Sequence, residues 1–267
     1  MGMLSVGPLA IPHGVFAGLL AFLTFTILVS FAARRIDQKL ERWSTIALVA
    51  GAVVARAVYV ALHWATFSND PLRALMLWQG GFEWFSGAAT AIVSALLLIR
   101  SWRSRGVAMA ILAISALVWV ATVAILNDTN SAVPLPDITV SSSAGTDIKL
   151  RSYATGPVVV NLWATWCPPC RRELPAMVAQ AAASPSVPFL FVNQAEDPAT
   201  VQAFLKQQGL TLEHVLFDTG SKLARELHTV GIPITFFFYD GMMVDLYAGE
   251  ISPEALRQKT KALINAR

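Results

Sequence analysis

Four apolar runs in the first half of the chain constrain its fold more than any other sequence feature. They cover residues 15–33, 44–64, 82–99 and 106–126, and each approaches the ~20 residues that a helix needs to cross a bilayer. Charged residues make up only 14% of the chain and apolar residues 55%. This composition excludes a disordered chain and argues against an ordinary soluble protein. The sequence therefore predicts an all-α transmembrane domain of four helices over residues 1–126.

The basic residues between these runs predict the orientation in the membrane. They cluster between the first and second runs and between the third and fourth: Arg34, Arg35, Lys39, Arg42, Arg100, Arg103 and Arg105. Short basic connections stay in the cytoplasm. We therefore expect a multi-pass protein of the bacterial inner membrane, with its amino terminus and its second half in the periplasm. No positive charge precedes the first run, so we expect it to remain as an anchor.

One charged residue, Arg56, lies inside the second apolar run. An ionisable residue within a membrane span is a functional-site hypothesis, and its nearest expected partner is Glu83. The alternative is that the Arg56 side chain extends outward and that the pair only fixes helix packing.

Several short motifs of this first half occur in the order and spacing of a known family. They are Gly7-Pro8-Leu9, residues 54–59, Asn69-Asp70-Pro71-Leu72 and residues 78–81. Residues 5–100 thereby resemble the first part of prolipoprotein diacylglyceryl transferase. The chain has Phe85-Ser86-Gly87 where that family has a His-Gly-Gly segment, and the family's later polar segments are missing. The resemblance implies a reused membrane scaffold rather than lipid transfer.

The second half of the chain changes character after a linker at residues 127–136, which contains two prolines. The pattern over residues 137–267 predicts a hairpin, then alternating strands and helices, then a second hairpin and a last helix. The predicted strands are 138–140, 148–150, 158–163, 189–192, 234–239 and 243–247, and the predicted helices are 167–182, 198–208, 221–228 and one beginning at Ser252-Pro253. This order predicts an α/β domain with a mixed sheet flanked by helices.

The two cysteines of the chain, Cys167 and Cys170, stand where a buried strand meets a helix. Side chains three residues apart on a helix are about 5–6 Å apart, close enough to form a disulfide. A helix amino terminus favours a thiolate, so Cys167 is the predicted attacking sulfur and Cys170 the resolving one. Pro168 and Pro169 lack N–H groups that could stabilise this thiolate, which predicts a reducing pair. No cofactor beyond this redox-active disulfide and no metal is expected.

Other interpretations of the cysteine pair remain open. The pair could be half of a zinc site completed by His214 and His228, or a structural disulfide, although a bridge over two residues constrains the unfolded chain little. In a different class of function, the two thiolates would bind Cu(I) or an apocytochrome in a carrier protein. Because no basic cluster accompanies a nucleic-acid-reading motif, no nucleic-acid partner is expected.

Residues 160–175, which contain the Trp166-Cys167-Pro168-Pro169-Cys170 segment, resemble the TlpA/ResA/DsbE type of membrane-tethered thiol–disulfide oxidoreductase. The resemblance extends over residues 134–267 and implies a thioredoxin-like fold. Residues 230–236 match the family's loop with a cis-proline, so the resemblance implies that Pro233 is cis and that the Ile232 backbone pairs with a bound peptide. The chain has Ile234 where the family usually has Thr.

Polar and aromatic residues near the cysteines carry further expectations. Glu173 lies one turn beyond Cys170 and could exchange protons with the sulfurs; it matches an active-site Glu of the resembled family. The alternative is a favourable negative charge in the first helical turn. Asn161 occupies the position of a buried Asp in thioredoxins. Trp166 is assigned to the substrate-binding surface with Ile232 and Pro233. Three other residues are expected to be structural: Trp163 in packing, and Arg171 and Arg172 on a solvated helix face.

Together, these observations predict a membrane-anchored periplasmic protein disulfide reductase. Its expected partners are protein thiols and disulfides, for example in the maturation of c-type cytochromes or of metal centres. Because the chain has no flavin or nicotinamide motif, we expect its electrons to come from a DsbD-like transmembrane reductase.

Overall fold

The computed structural model describes residues 3–6, 9–68, 70–128, 133–229 and 231–266. The chain divides into two compact units, one formed by His13–Thr129 and the other by Met1–Pro12 together with Asn130–Arg267. Some residues of the motifs quoted above lie outside the described residues: Gly7, Pro8, Asn69, Val230 and residues 129–132 of the predicted linker.

The described part of the first unit is helical. Its helices are α1 (His13–Arg35), α2 (Lys39–Leu62), α3 (Trp64–Phe67), α4 (Trp84–Leu98) and α5 (Trp102–Asp128), with short 3-10 helices at Pro71–Leu75 and Leu77–Gln79. Among the described residues, α1, α2 and the Trp102–Leu126 part of α5 are long and apolar enough to cross a membrane. The predicted helical character of this region is confirmed.

The third predicted span, residues 82–99, forms a shorter helix than expected. Helix α4 has 15 residues, which corresponds to ~22 Å against a hydrocarbon thickness of ~30 Å. It begins after Glu83 because the Glu83 carboxylate accepts the Phe85 N–H, and it ends at Ile99, whose backbone is extended. Three of the four predicted spans therefore have the length of a membrane span in the described structure.

The two basic connections of the helical unit lie at the same end of it. The Ser104 hydroxyl, at the start of α5, donates to the Asp37 carboxylate between α1 and α2 at 2.9 Å. Near the same end, the Trp43 indole N–H donates to the Ser94 hydroxyl at 3.2 Å. Helix α4 therefore runs antiparallel to α2 and returns the chain to this end.

Arg56 of α2 is only 8% exposed, and its guanidinium binds backbone carbonyls. It donates at 2.5–3.3 Å to five C=O groups between α3 and α4, those of Arg73, Ala74, Met76, Gly80 and Gly81. The expected ion pair with Glu83 is not among the contacts of the described residues, because the Glu83 carboxylate caps α4 instead. The guanidinium of Arg56 therefore holds in place the segment between α3 and α4, which contains the two 3-10 helices.

The second unit contains a seven-stranded mixed sheet and a separate hairpin, β1 (Met3–Val6) with β2 (Leu9–Pro12). The sheet strands are β3 (Thr139–Ser142), β4 (Asp147–Lys149), β5 (Pro157–Trp163), β6 (Phe189–Gln194), β7 (His214–Asp218), β8 (Ile234–Tyr239) and β9 (Met242–Ala248). Their order is β4-β3-β7-β6-β5-β8-β9. The β5–β6 and β6–β7 pairs are parallel, and the remaining pairs are antiparallel.

Helices cover both faces of this sheet. Their bounds are α6 (Pro168–Ala183), α7 (Pro198–Gln208), α8 (Lys222–Glu226) and α9 (Pro253–Ile264), with a 3-10 helix at Leu150–Tyr153. Side chains alternate along β5, so that Val159 and Trp163 pack in one core with α6, α7 and α9. Val160 and Leu162 pack in the other core, with α8. The predicted α/β fold class, a mixed sheet flanked by helices, is confirmed.

Three described strands, β1, β2 and β7, are absent from the sequence-based prediction, and α8 is shorter than the predicted helix 221–228. Strand β7 is held between β3 and β6, and its register with β6 places Val215 beside Phe191. Its five residues show no alternation of buried and exposed side chains, because both faces of the strand are covered and four of the five residues are buried. Long-range pairing therefore determines this strand, and the local pattern does not.

Candidate active site

The cysteines lie at the amino terminus of α6, four residues after the last residue of the central strand β5. Cys167 is the N-cap residue, and Pro168 and Pro169 occupy the first two helical positions. Since both prolines lack an N–H, Cys170 supplies the first free amide of the helix. That amide donates to the Cys167 sulfur at 3.3 Å. The structure holds the two cysteines as a Cys167–Cys170 disulfide.

The surroundings of the disulfide are mostly apolar. Cys167 is 3% exposed and Cys170 is fully buried in the core shared by α6, α7 and α9. Trp166, which precedes Cys167 in the sequence, is different because 67% of its surface is exposed. Trp163, which was expected to be structural, is fully buried.

The loop that precedes β8 carries the predicted substrate-binding residues Ile232 and Pro233. The peptide bond between them is cis, as the family resemblance implies. Ile234, the next residue, pairs with Leu162 near the end of β5 that leads to the cysteines. The Pro233 carbonyl accepts the Gly249 N–H at 2.9 Å. The position of Pro233 is thus fixed by its neighbours on β8 and by the segment after β9.

Glu173 is buried, with 2% of its surface exposed, and both of its carboxylate oxygens accept hydrogen bonds. Oε1 accepts from the Asn161 amide of β5, and Oε2 from the Ile251 backbone N–H, both at 2.9 Å. Burial, with a smaller contribution from the nearby charge of Glu250, raises the pKa of Glu173 to about 7 against the lowering effect of the two hydrogen bonds. A carboxyl group with this pKa can gain or lose a proton near neutral pH.

Arg172 is exposed on the helix face, as expected, and it also forms an ion pair. Its guanidinium donates twice to the Glu250 carboxylate, at 2.9 and 2.6 Å. The Arg172 side chain is 47% exposed, whereas the Glu250 side chain is 4% exposed. The neighbouring Arg171 is exposed and lies 5.4 Å from the centre of the Phe204 ring.

Sequence reasoning missed Glu196, which holds the loop before the cysteines. Its carboxylate accepts the Thr165 N–H at 2.7 Å and the Thr165 hydroxyl, and also the Asn193 amide at 2.7 Å. Glu196 follows β6 by two residues, and β6 pairs with β5 in parallel, so the carboxyl ends of both strands meet here. The only available sequence signal was this expected meeting of strand ends.

Comparison with known proteins identifies the chemistry of this site. Residues 132–246 match the family model described as the AhpC/TSA family. Sporulation thiol-disulfide oxidoreductase A of Bacillus subtilis is 30% identical over 123 residues, which cover 44% of this chain and 73% of that protein. The chain belongs to this family of thiol–disulfide oxidoreductases.

Two further relatives carry names of the same kind. Thiol-disulfide oxidoreductase ResA of Geobacillus thermodenitrificans is 28% identical over 131 residues, covering 48% of this chain and 75% of the relative. Thiol:disulfide interchange protein DsbE of Escherichia coli is 30% identical over 108 residues, covering 40% of this chain and 57% of the relative. These matches confirm the resemblance to the ResA/DsbE type and the assignment as an enzyme that acts on thiols and disulfides.

The amino-terminal part of this oxidoreductase has a separate relationship. Residues 2–127 match the family model of prolipoprotein diacylglyceryl transferase. The chain therefore joins a region related to a membrane enzyme to a thiol–disulfide oxidoreductase domain, as the sequence motifs predicted.

For the zinc alternative, the structure offers no support in the part of the chain that it describes. No group of three or more His, Cys, Asp or Glu side chains that could hold a metal ion occurs there. His214 starts β7 and lies 5.9 Å, ring centre to ring centre, from Tyr153.

Proposed function

We propose that this oxidoreductase is an inner-membrane protein that reduces disulfides of partner proteins in the periplasm. The observation that carries the direction of the reaction is the start of α6. Cys167 caps this helix, and the next two residues are prolines, so Cys170 supplies the first amide that reaches the Cys167 sulfur, at 3.3 Å.

Missing amide donors affect the redox potential through the stability of the thiolate. A strongly oxidising pair has a reduced form that is stabilised, in large part as an acidic thiolate at a helix amino terminus. Pro168 and Pro169 remove two donors that would otherwise stabilise a Cys167 thiolate. The reduced form is then less stabilised, and the pair gives up its electrons more readily.

The reduction of a partner disulfide follows from the two cysteines in their dithiol form. The Cys167 thiolate attacks one partner sulfur, which forms a mixed disulfide, breaks the partner S–S bond and releases the other partner sulfur as a thiolate that takes up a proton. Cys170 then loses its proton and attacks the Cys167 sulfur. This step forms the Cys167–Cys170 disulfide and releases the second partner thiol. The partner gains two electrons and the enzyme loses two.

Glu173 is the proposed acceptor of the Cys170 proton. It follows Cys170 by one helical turn, it is buried with it, and its pKa of about 7 suits proton exchange at neutral pH. Asn161 cannot take this role because an amide does not titrate.

Partner proteins are proposed to dock where Trp166, Ile232 and Pro233 lie. Trp166 offers a large exposed aromatic surface next to Cys167, and aromatic side chains of this kind are frequent anchors of protein interfaces. The half-buried Ile232 precedes the cis bond, and its backbone is proposed to pair with the partner peptide.

The membrane orientation rests on the helical unit. Its two basic connections meet at one end, where Ser104 binds Asp37, and positive connections stay in the cytoplasm. Helix α4 is short, but the segment before it has its carbonyls bound by Arg56, so non-helical backbone can complete this crossing. Both chain ends then lie in the periplasm, and a DsbD-like transmembrane reductase is the proposed electron donor.

The direction of the reaction is tested by the reduction potential of the full chain in detergent. We expect a value closer to that of thioredoxin, about −270 mV, than to that of DsbA, about −120 mV. A potential near the DsbA value would contradict the reductase proposal.

The location is tested by labelling intact cells with a membrane-impermeant maleimide after mild reduction. Since the chain has only two cysteines, labelling reports on this site alone. We expect labelling in intact cells; labelling only after lysis would contradict a periplasmic site.

The partners are tested with Cys170→Ala, which cannot resolve the mixed disulfide. We expect covalent complexes that reducing agent releases, and none with Cys167→Ala. If the chain instead binds Cu(I) tightly, with one ion per chain, and shows no disulfide exchange, the carrier interpretation replaces this proposal.

A further inference from the structure

Two consecutive residues of α6 hold the segment that joins β9 to α9. Arg172 binds the Glu250 carboxylate with two hydrogen bonds. Glu173 accepts the N–H of the next residue, Ile251. The segment is therefore fixed to the helix that carries both cysteines, once through a surface ion pair and once through a buried carboxylate.

The same segment also holds the proposed substrate-binding loop. The N–H of Gly249 donates to the Pro233 carbonyl at 2.9 Å. Each residue of the segment 249–251 thus has its own partner. Gly249 binds the cis-proline loop, Glu250 binds Arg172, and Ile251 binds Glu173. A shift of this segment would move the docking loop and the proposed proton acceptor together.

We propose that the Arg172–Glu250 ion pair is a positioning device of the active site, which holds residues 249–251 so that Pro233 and Glu173 keep their places. The pair touches neither sulfur, so its two members are positioning residues and not catalytic ones. The consequence of this positioning for the reaction rests on the proposed role of Glu173 in proton exchange.

The charges around Glu173 make the device measurable. The uncharged Asn161 of β5 contacts it, and the uncharged Thr235 of β8 contacts Asn161 in turn. The Glu250 carboxylate raises the pKa of Glu173, and Arg172 offsets that charge. Helix α9, which packs against α6, carries the buried carboxylate of Glu254 and also Lys259, which pairs with Asp245. In the dithiol form, the two cysteines on α6 also titrate.

Glutamine substitutions remove one charge at a time. Glu250→Gln keeps the length of Glu and can still accept from Arg172, whereas Arg172→Gln is shorter and removes the contact together with the charge. Arg172→Gln leaves the Glu250 charge without the Arg172 charge, which should raise the pKa of Glu173 by ~1 pH unit. Glu250→Gln leaves the Arg172 charge and removes the repulsion, which should lower it. The double variant should return close to the unsubstituted chain.

The titration of Glu173 is read from the infrared C=O band of its protonated carboxyl group, in the oxidised full chain in detergent. Glu173→Gln identifies the band by its loss. Arg171→Gln is the matched control, because it removes one charge from the neighbouring position of the same helix and should leave the titration unchanged. Arg172→Lys keeps the positive charge, so the titration of Glu173 in this variant should lie close to that of the unsubstituted chain.

Shifts of opposite sign in the two single variants, with recovery in the double variant, support the proposal. Shifts of the same sign, or none, would overturn it. The pH profile of disulfide exchange is measured separately. If the Glu173 titration moves as expected while this profile does not follow, the positioning role stands and the proton role of Glu173 fails.

Discussion

The amide of Asn161 donates to the buried Glu173 carboxylate at 2.9 Å, between strand β5 and helix α6. The same nitrogen lies 3.1 Å from the Thr235 hydroxyl oxygen. An amide orients the carboxylate without adding a charge of its own. Burial therefore has the largest effect on the pKa of Glu173, and this pKa reaches about 7. Asn161 orients the carboxylate and Glu173 titrates, so a residue that does not titrate suits position 161.

Folding stability should depend on pH through Glu173. Its pKa rises from 4.5 to about 7 on folding, so between these values the folded chain keeps a proton that the unfolded chain has lost. The contribution is most favourable below about pH 4.5 and is lost as the pH rises to about 7, by on the order of 3 kcal/mol. Glu173→Gln should flatten this part of the profile.

The measurement is the denaturation midpoint of the oxidised full chain in detergent between pH 4.5 and 7. Glu213→Gln serves as the control because Glu213 is exposed, and it should keep the slope of the unsubstituted chain. An equal slope in the Glu173→Gln variant would show that another group causes the pH dependence.

The sequence predicted those features that depend on local patterns. The bounds of α7 and β8 and the N-cap at Ser252 agree with the structure because apolar periodicity and capping residues act within a few positions. Strand β7 and the Glu196 contacts were missed because both depend on residues that are distant in sequence.

The same limit explains the difference at Arg172 and Arg56. Arg172 was judged from the charges of its own helix, and Arg56 was assigned the nearest acidic residue of the next predicted span. Arg172 also pairs with Glu250, 78 residues away, and Arg56 binds carbonyls of the segment between α3 and α4. The cysteine pair could be predicted because both residues and the helix start lie within four positions.

Substitution of the two tryptophans near the site should affect stability to very different extents. Trp163 is fully buried, so Trp163→Ala should cost about 3–5 kcal/mol of stability. Trp166 is 67% exposed, so Trp166→Ala should change stability by only about 0.5 kcal/mol. We expect Trp166→Ala to raise the KM for a protein disulfide and to leave the reaction with a small disulfide nearly unchanged. Equal losses for both substrates would contradict a docking role for Trp166.

Glu196 should maintain the geometry of the loop before Cys167. Glu196→Ala leaves the Thr165 N–H and the Asn193 amide without this acceptor, which should cost about 1–3 kcal/mol. Thr165→Val removes only the hydroxyl contact and should cost less. In the double variant the two losses should not add, since both single changes remove the same contact. Full additivity in denaturation midpoints would show that Glu196 acts elsewhere.

Gly81 should be the least tolerant glycine of the helical unit's loop, because two independent constraints meet there. Its φ is +78°, a left-handed conformation that other residues rarely adopt. A Cβ atom at this position would also lie 2.5 Å from Tyr59 Cε1 and 2.8 Å from Arg56 Nη1. Gly81→Ala should therefore destabilise this unit by about 2–5 kcal/mol, as the sum of backbone strain and overpacking.

These two causes can be separated in the full chain in detergent by thermal unfolding. Gly18→Ala is the control because Gly18 lies in α1 with nothing near its would-be Cβ, and alanine favours helices. Tyr59→Leu combined with Gly81→Ala should recover the part of the loss that comes from the ring and leave the part that comes from φ. If Gly81→Ala unfolds at the same temperature as Gly18→Ala, then Tyr59 and Arg56 do not enclose this glycine. The Arg56 contacts with the Gly80 and Gly81 carbonyls would then be wrong as well.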